Sequence, residues 1–205
     1  QVVEIPVIRV EPKSNSKHIF YLDLGSSYND DQPSEIELGD TITGVIFAHQ
    51  RIRAKWLDGK EIPDCSSIEG IPVGEDALAD SCIQCEHAVI GSACKPKVRI
   101  MILAKLEGEL KAYVLHLPPT SLKYWSQHVR KLGRSNLPIV ARNTVFKIKP
   151  IARNGYKYGE IELSIDGISD RETLMVAKQL RTEFEEFAKR LSRQDFIEPG
   201  DTSVE

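Results

Sequence analysis

Residues 65–94 read CSSIEGIPVGEDALADSCIQCEHAVIGSAC and hold all four cysteines of the chain. Cys82 and Cys85 form a C-x-x-C pair, and Cys65 and Cys94 stand at the two ends of the stretch. Two thiolates so spaced can bind one metal from a single tight turn, and the outer pair can close the tetrahedron. Four cysteines with no open position are the pattern of structural zinc. The residues between them are poor in large apolar side chains and rich in Gly, Ser, Asp and Glu. Such a segment cannot order itself by burial, so a metal would supply what a core cannot. Two disulfides, or four buried free thiols, are the alternatives. His87 competes for any one ligand position, and His49 is a remoter competitor.

Working outward, the stretch is entered from Ile42–Trp56, ITGVIFAHQRIRAKW, the longest strand-like run. A period of two puts Ile46, Ala48, Ile52, Ala54 and Trp56 on one face. Phe47, His49, Arg51, Arg53 and Lys55 fall on the other, a basic face suited to an anion. The exit is Lys95-Pro96-Lys97 and a strand over 98–106. There Val98, Ile100, Ile102 and Ala104 point inward, while Lys97, Arg99 and Met101 point out. A turn at Glu107-Gly108 leads to Leu110–Leu117, with Tyr113 beside the outward row. Pro118-Pro119 stops the sheet. Thr120 then caps a helix with Leu122, Trp125, Val129 and Leu132 inward and Gly133 just past its end. Ile139–Pro150 and Tyr156–Asp166 form a hairpin around Asn154-Gly155. Lys147 and Lys149 share one of its faces, and Tyr156 and Tyr158 face out. Ser169–Glu172 reads as a capping box for a helix to about Leu191. Its apolar stripe is Leu174, Ala177, Leu180, Phe184, Phe187, Ala188 and Leu191.

Strand, strand, strand, helix, strand, strand is the order of the OB-fold, a five-stranded Greek-key barrel. The expected fold is mainly β with α: an OB-fold barrel with a zinc-binding insert between strands one and two. A helix separates strands three and four, and a C-terminal helix follows. Residues 1–40 read as a peripheral strand or hairpin arm and 41–167 as the OB-fold, with the insert at 60–97. Residues 168–192 read as the C-terminal helix and 193–205 as a disordered acidic tail. The helix is expected to dock on the barrel, to self-associate or to meet a protein partner.

The net charge of −3 hides a gradient. Residues 1–40 and 161–205 carry −5 each, whereas 41–134 carry +3 and 135–160 carry +4. Local patches, not the total, set the field a ligand meets. In an OB-fold the two loops beside the binding face are the ones holding the cysteines and Asn154-Gly155. The expected nucleic-acid contacts are therefore Arg51, Arg53, Lys55, Trp56, Lys95, Lys97, Arg99, Tyr113, Lys147, Lys149, Tyr156 and Tyr158. Cations there would meet phosphates and rings would stack bases.

The run CSSIEGIP…CIQCEHAVIGSACKPKVRI, with LPPTSLKYW and Gly-Tyr-Lys-Tyr after it, resembles zinc-containing single-stranded DNA-binding proteins of OB type from phages and mobile elements. The likeness covers roughly 39–166. Where that pattern often has proline after the C-x-x-C, this chain has Glu86 and His87. The resemblance implies a non-catalytic protein that coats single-stranded DNA in replication or recombination, with RNA as a second substrate. A zinc-stabilised adaptor whose main partner is another protein is the alternative. An enzyme is not expected: four thiolates leave zinc no open position, and P-loop, GxSxG, HExxH and deaminase signatures are missing from the sequence. No apolar run is long enough for a membrane helix. The opening QVVEIPVIRV lacks the regions of a signal peptide. The expected compartment is the cytoplasm of a bacterium or a phage-infected cell.

Overall fold

The computed structural model describes residues 5–12, 18–24, 35–56, 63–73, 77–89, 91–191 and 195–196. Among the described residues ten strands and two α-helices follow one another: β1 Val7–Pro12, β2 His18–Asp23, β3 Glu35–Gly39, β4 Thr41–Lys55, β5 Cys65–Ile68, β6 Ile71–Val73, β7 Lys95–Ala104, β8 Lys111–Leu117, α1 Leu122–Arg134, β9 Arg142–Arg153, β10 Tyr156–Ile168 and α2 Arg171–Ala188. The chain is mainly β, and its sheet curls into a half-barrel. The strand order is β10-β9-β4-β7-β8-β1-β2-β3, with β5 and β6 hung on β4. Asn154 and Gly155 both have positive φ, as a tight I′ hairpin turn requires.

The described residues of 5–40 are not a peripheral arm. β1 lies parallel to β8, at the edge where a five-stranded barrel would receive its last strand. Ile8, Phe20 and Leu22 are buried in the same core as Ile46, Ile100, Leu115, Phe146 and Ile161. The reason is chain continuity. β3 passes into β4 through Gly39, at φ +83°, so the three N-terminal strands are delivered to the rim of the curl. Ile148 N donates to Asp40 O across that bend.

The faces of β4 do not follow strict alternation. The register runs Ile46↔Ile102 and then Ala48↔Met101, so Phe47 is an extra residue, a β-bulge. One extra residue inverts the parity beyond it. His49, Arg51 and Arg53 pair with Ile100, Val98 and Pro96 and so share the concave face. Gln50, Ile52 and Ala54 pair with Arg99, Lys97 and Lys95 on the convex face.

The convex face is covered as well. α2 lays Ala177 and Phe184 against Phe47, Met101, Leu103 and Val114. Phe47 and Phe184 meet edge to face at 6.2 Å. The helix begins one residue later than the capping-box reading placed it. Asp170 is the N-cap, accepting from Thr173 N at 2.9 Å, while Ser169 Oγ donates to Val140 O. In α1 the inward stripe is Trp125, His128 and Leu132. Val129 is exposed, because the i, i+3, i+7 set selects His128 instead. Ser121, not Thr120, precedes α1, and its hydroxyl accepts from Ile161 N at 2.8 Å.

Two stability predictions follow from this packing. Phe184→Ala removes the central ring of the α2 interface and is expected to cost about 3 kcal/mol in urea denaturation. A loss below about 1 kcal/mol would mean that α2 is undocked in solution. Burial holds His18, His49, His116 and His128 below the ordinary histidine value. As pH falls through about 6.5, the unfolded chain takes up protons that the folded chain refuses, so stability drops. The urea midpoint should be lower at pH 5.5 than at pH 7.5, and an equal or higher midpoint would contradict the burial of these rings.

Candidate metal centre and nucleic-acid interface

The two ends of the insert straddle β4. Cys65 opens β5 and pairs with Lys55, and Cys94 directly precedes Lys95, which pairs with Ala54. Between them the chain folds back on β5 and β6. Cys82 N donates to Gly70 O at 3.0 Å, and a short 3₁₀ turn over Glu86–Ala88 follows Cys85. Ser92 fastens the exit, donating to His87 O and accepting from Cys94 N at 3.2 Å. These bonds bring all four cysteines to one cavity of about 10 Å³, lined also by Arg53, Lys55, Ser67 and His87.

All four are free thiols. Cys82 Sγ is 3.1 Å from Ser67 Oγ. Burial pushes the Cys94 thiol up; a hydrogen bond from Arg53 pulls it back, and nearby Cys82 and Cys65 push it up again. Arg53 also donates to Ala88 O at 2.9 Å, so one guanidinium ties β4 to the far side of the insert. His87 lines the cavity while its Nε2 faces Glu86 at 3.6 Å. His49 lies elsewhere, against Trp125 with ring centroids 4.9 Å apart. Among the described residues no three His, Cys, Asp or Glu side chains stand at metal-binding geometry. The donor types are those of a structural zinc site, and the four cysteines line one cavity.

The expected cations divide into three groups. Around the insert, Arg51 is exposed and held by Glu69, through its backbone N at 2.6 Å and its Nε at 3.1 Å. Arg53 and Lys55 are half-buried at the cavity, and Lys95 is exposed. On the hairpin, Lys147, Lys149 and Tyr156 are exposed and Tyr158 is half-buried. The register puts them on one face with Arg153, but Glu160 and Glu162 share that face, and Glu162 pairs with Lys149 at 3.1 Å. β9 pairs with residues 41–45 of β4 and β5 with residues 52–55, so these two groups attach to opposite ends of one strand.

The third group is not on the surface. Arg99 is 0 % exposed, Lys97 is buried and Trp56 is partly buried. Lys97 and Arg99 do point away from the concave core, as alternation predicts, and the bulge at Phe47 turns Trp56 to the same side, but that side is roofed by the end of α2 and by Asp195 and Phe196. Arg99 Nη1 donates to Asp195 Oδ1 at 3.1 Å and to Arg190 O at 2.9 Å, and Nη2 donates to Gln50 Oε1. Its guanidinium sits 4.7 Å from the Phe187 ring centroid. His116 Nε2 is 3.0 Å from the same Asp195 oxygen. Lys97 Nζ donates to Phe196 O at 3.2 Å, and Trp56 lies 5.5 Å from the Phe196 ring. Asp195 and Phe196 are therefore packed residues and not part of a disordered tail; residues 193–194 and 197–205 lie outside the described residues. Tyr113 is in the core instead of beside the outward row. It pairs with Ile102 on the concave face, and burial followed by Glu107 pushes its hydroxyl up to about 12.

Gln50, His116, Phe187 and Asp195 complete the Arg99 site, and no local sequence signal marks them as a group. No family model, curated protein or solved structure matches the chain. Among the described residues no helix is long and apolar enough to cross a membrane.

Arg99→Ala would leave Asp195 buried without its guanidinium. The expected loss is about 3–5 kcal/mol in urea denaturation, the usual cost of breaking a buried ion pair from one side. A loss below about 1 kcal/mol would show that water reaches this pair.

Proposed function

We propose that the protein binds single-stranded DNA without catalysis, in replication or recombination, and that one structural zinc on Cys65, Cys82, Cys85 and Cys94 shapes its binding loop. The observation that carries this reading is the shared cavity of the four cysteines with Arg53 and Lys55, whose chain neighbours Arg51 and Lys95 are exposed. A metal-braced loop with a cationic mouth is a site for a phosphate backbone. The strand path supports the same reading. The element order β4, β7, β8, α1, β9 and β10 is the one expected of an OB-fold with the insert in the loop after its first strand. In this reading β1, β2 and β3 complete the wall.

The parts divide the work. Arg53, bonded to Cys94 and Ala88 O, holds the insert and offsets thiolate charge. Phosphate contact falls to Arg51, Lys55 and Lys95, and on the hairpin to Lys147 and Arg153. Tyr156, 75 % exposed, offers a ring for a base. Zinc, when bound, would fix four thiolates and hold the insert's turns. Exposed Ile71, Leu78, Ile83 and Val89 on the same insert favour the second reading, a protein-docking loop.

Fluorescence anisotropy with labelled single-stranded DNA, single-stranded RNA and duplex, across a salt series, tests the proposal. Single strands should bind more tightly than duplex; equal affinity for duplex would sink the reading. Lys95→Ala should weaken binding to every sequence and flatten the salt slope by about one unit. Tyr156→Ala should cost roughly 1–3 kcal/mol with the slope unchanged.

Elemental analysis of protein purified in reductant should give one zinc per chain. Chelation should speed hydrogen exchange in the insert yet leave the main thermal transition, because neither apolar core includes a residue of the insert. Loss of the whole transition would make the metal central to the fold.

A further inference from the structure

Arg99 and its neighbours are an odd way to dock a helix. α2 is already anchored by Ala177 and Phe184 on Phe47, Met101, Leu103 and Val114. Lys97, Arg99 and His116 lie outside that apolar cluster, one strand end away. Burying a guanidinium, a carboxylate and an imidazole together gains little over apolar packing. Even so, Arg99 is imperfectly satisfied: its Nε is buried without a hydrogen-bond partner.

The groups that fill the site have a definite chemistry. The Asp195 carboxylate accepts from Arg99 and faces His116, as a phosphate oxygen would. Phe196 sets a ring against Trp56, as a base would. A phosphodiester offers non-bridging oxygens that could also accept from the spare Nε. Beyond the roof, Lys95 continues the same convex row as Lys97 and Arg99, is exposed, and directly follows Cys94 in the chain. A strand held at the insert would thus arrive at the edge of the covered site.

We infer that the convex face bearing Trp56, Lys97, Arg99 and His116 is a second contact site for single-stranded DNA, taking a phosphodiester and a flanking base, and that Asp195 and Phe196 occupy it in the free protein. This rests on the single-strand reading above. DNA and the Asp195–Phe196 segment compete for the same donors, while α2 stays docked through its own cluster.

The test compares three full-length chains: wild type, Asp195→Asn/Phe196→Ala, and Asp201→Asn as a charge-matched control. Anisotropy with a labelled oligo-dT is read over a salt series. The double variant should bind about tenfold more tightly, with a salt slope steeper by about one to two units as Lys97 and Arg99 reach phosphates. The control should match wild type. Double variant and control alike would overturn the inference and leave the single-strand reading standing; no binding by any of the three would overturn both. Hydrogen exchange on wild-type protein decides the matter if the double variant fails to fold. Saturating oligo-dT should speed exchange at residues 195–196 and leave residues 177–184 protected, whereas slower exchange at 195–196 would overturn the inference.

Discussion

β4 is the strand that every other part of the molecule depends on, and its bulge at Phe47 sets which side chains meet which surface. Its first five residues pair with β9, its length from Val45 onward pairs with β7, and its last four residues carry the insert through β5. Before the bulge, Ile42 and Ile46 feed the concave core. The bulge then spends one residue, Phe47, on the convex side, where it meets Phe184. Beyond it, Arg51 and Arg53 emerge on the concave side next to the cysteines, and Gln50 turns to the convex side to meet Arg99. Without that extra residue the two arginines would point toward α2, and Gln50 would lie away from Arg99.

Both faces of β7 are consequently buried. Val98, Ile100 and Ile102 belong to the core inside the curl, while Met101 and Leu103 belong to the layer under α2. The cations of that second face could remain only by finding partners, because a buried unpaired charge costs several kcal/mol. Arg99 finds a carboxylate, a side-chain amide, two carbonyl oxygens and an aromatic face. Lys97 finds a carbonyl at Phe196. Apart from the Gln50 amide on the neighbouring strand, the partners come from residues 187–196, about ninety residues later in the chain.

The insert follows the opposite rule. It has short strands, exposed apolar side chains and no share in either core. Its order comes from backbone bonds at Gly70, Cys82 and Cys85, from Ser92, and from Arg53 reaching across to Ala88. Within this segment the four cysteines line one small cavity.

Much of this molecule was legible from local pattern. The long strand at 42–56, the hairpin at Asn154-Gly155, the two helices and the order of β4, β7, β8, α1, β9 and β10 follow from alternation, turn chemistry and apolar periodicity, all of which act within a few residues. That Cys65, Cys82, Cys85 and Cys94 lie near one another was legible for the same reason, since the C-x-x-C and the flanking strands bring these residues to the lining of one cavity. What lay beyond reach was set by contacts distant in sequence. Alternation shows that Lys97 and Arg99 point away from the core, but not that α2 and Asp195 cover that side. It cannot see the bulge at Phe47, which exists because β7 offers one fewer residue than β4. Nor can it show that the N-terminal strands close against β8, a pairing fixed by the parallel register of Val7 with Val114 and Ile8 with Leu115. Parity is a property of a strand, whereas exposure is a property of whatever packs on it, and only the tertiary structure decides the second.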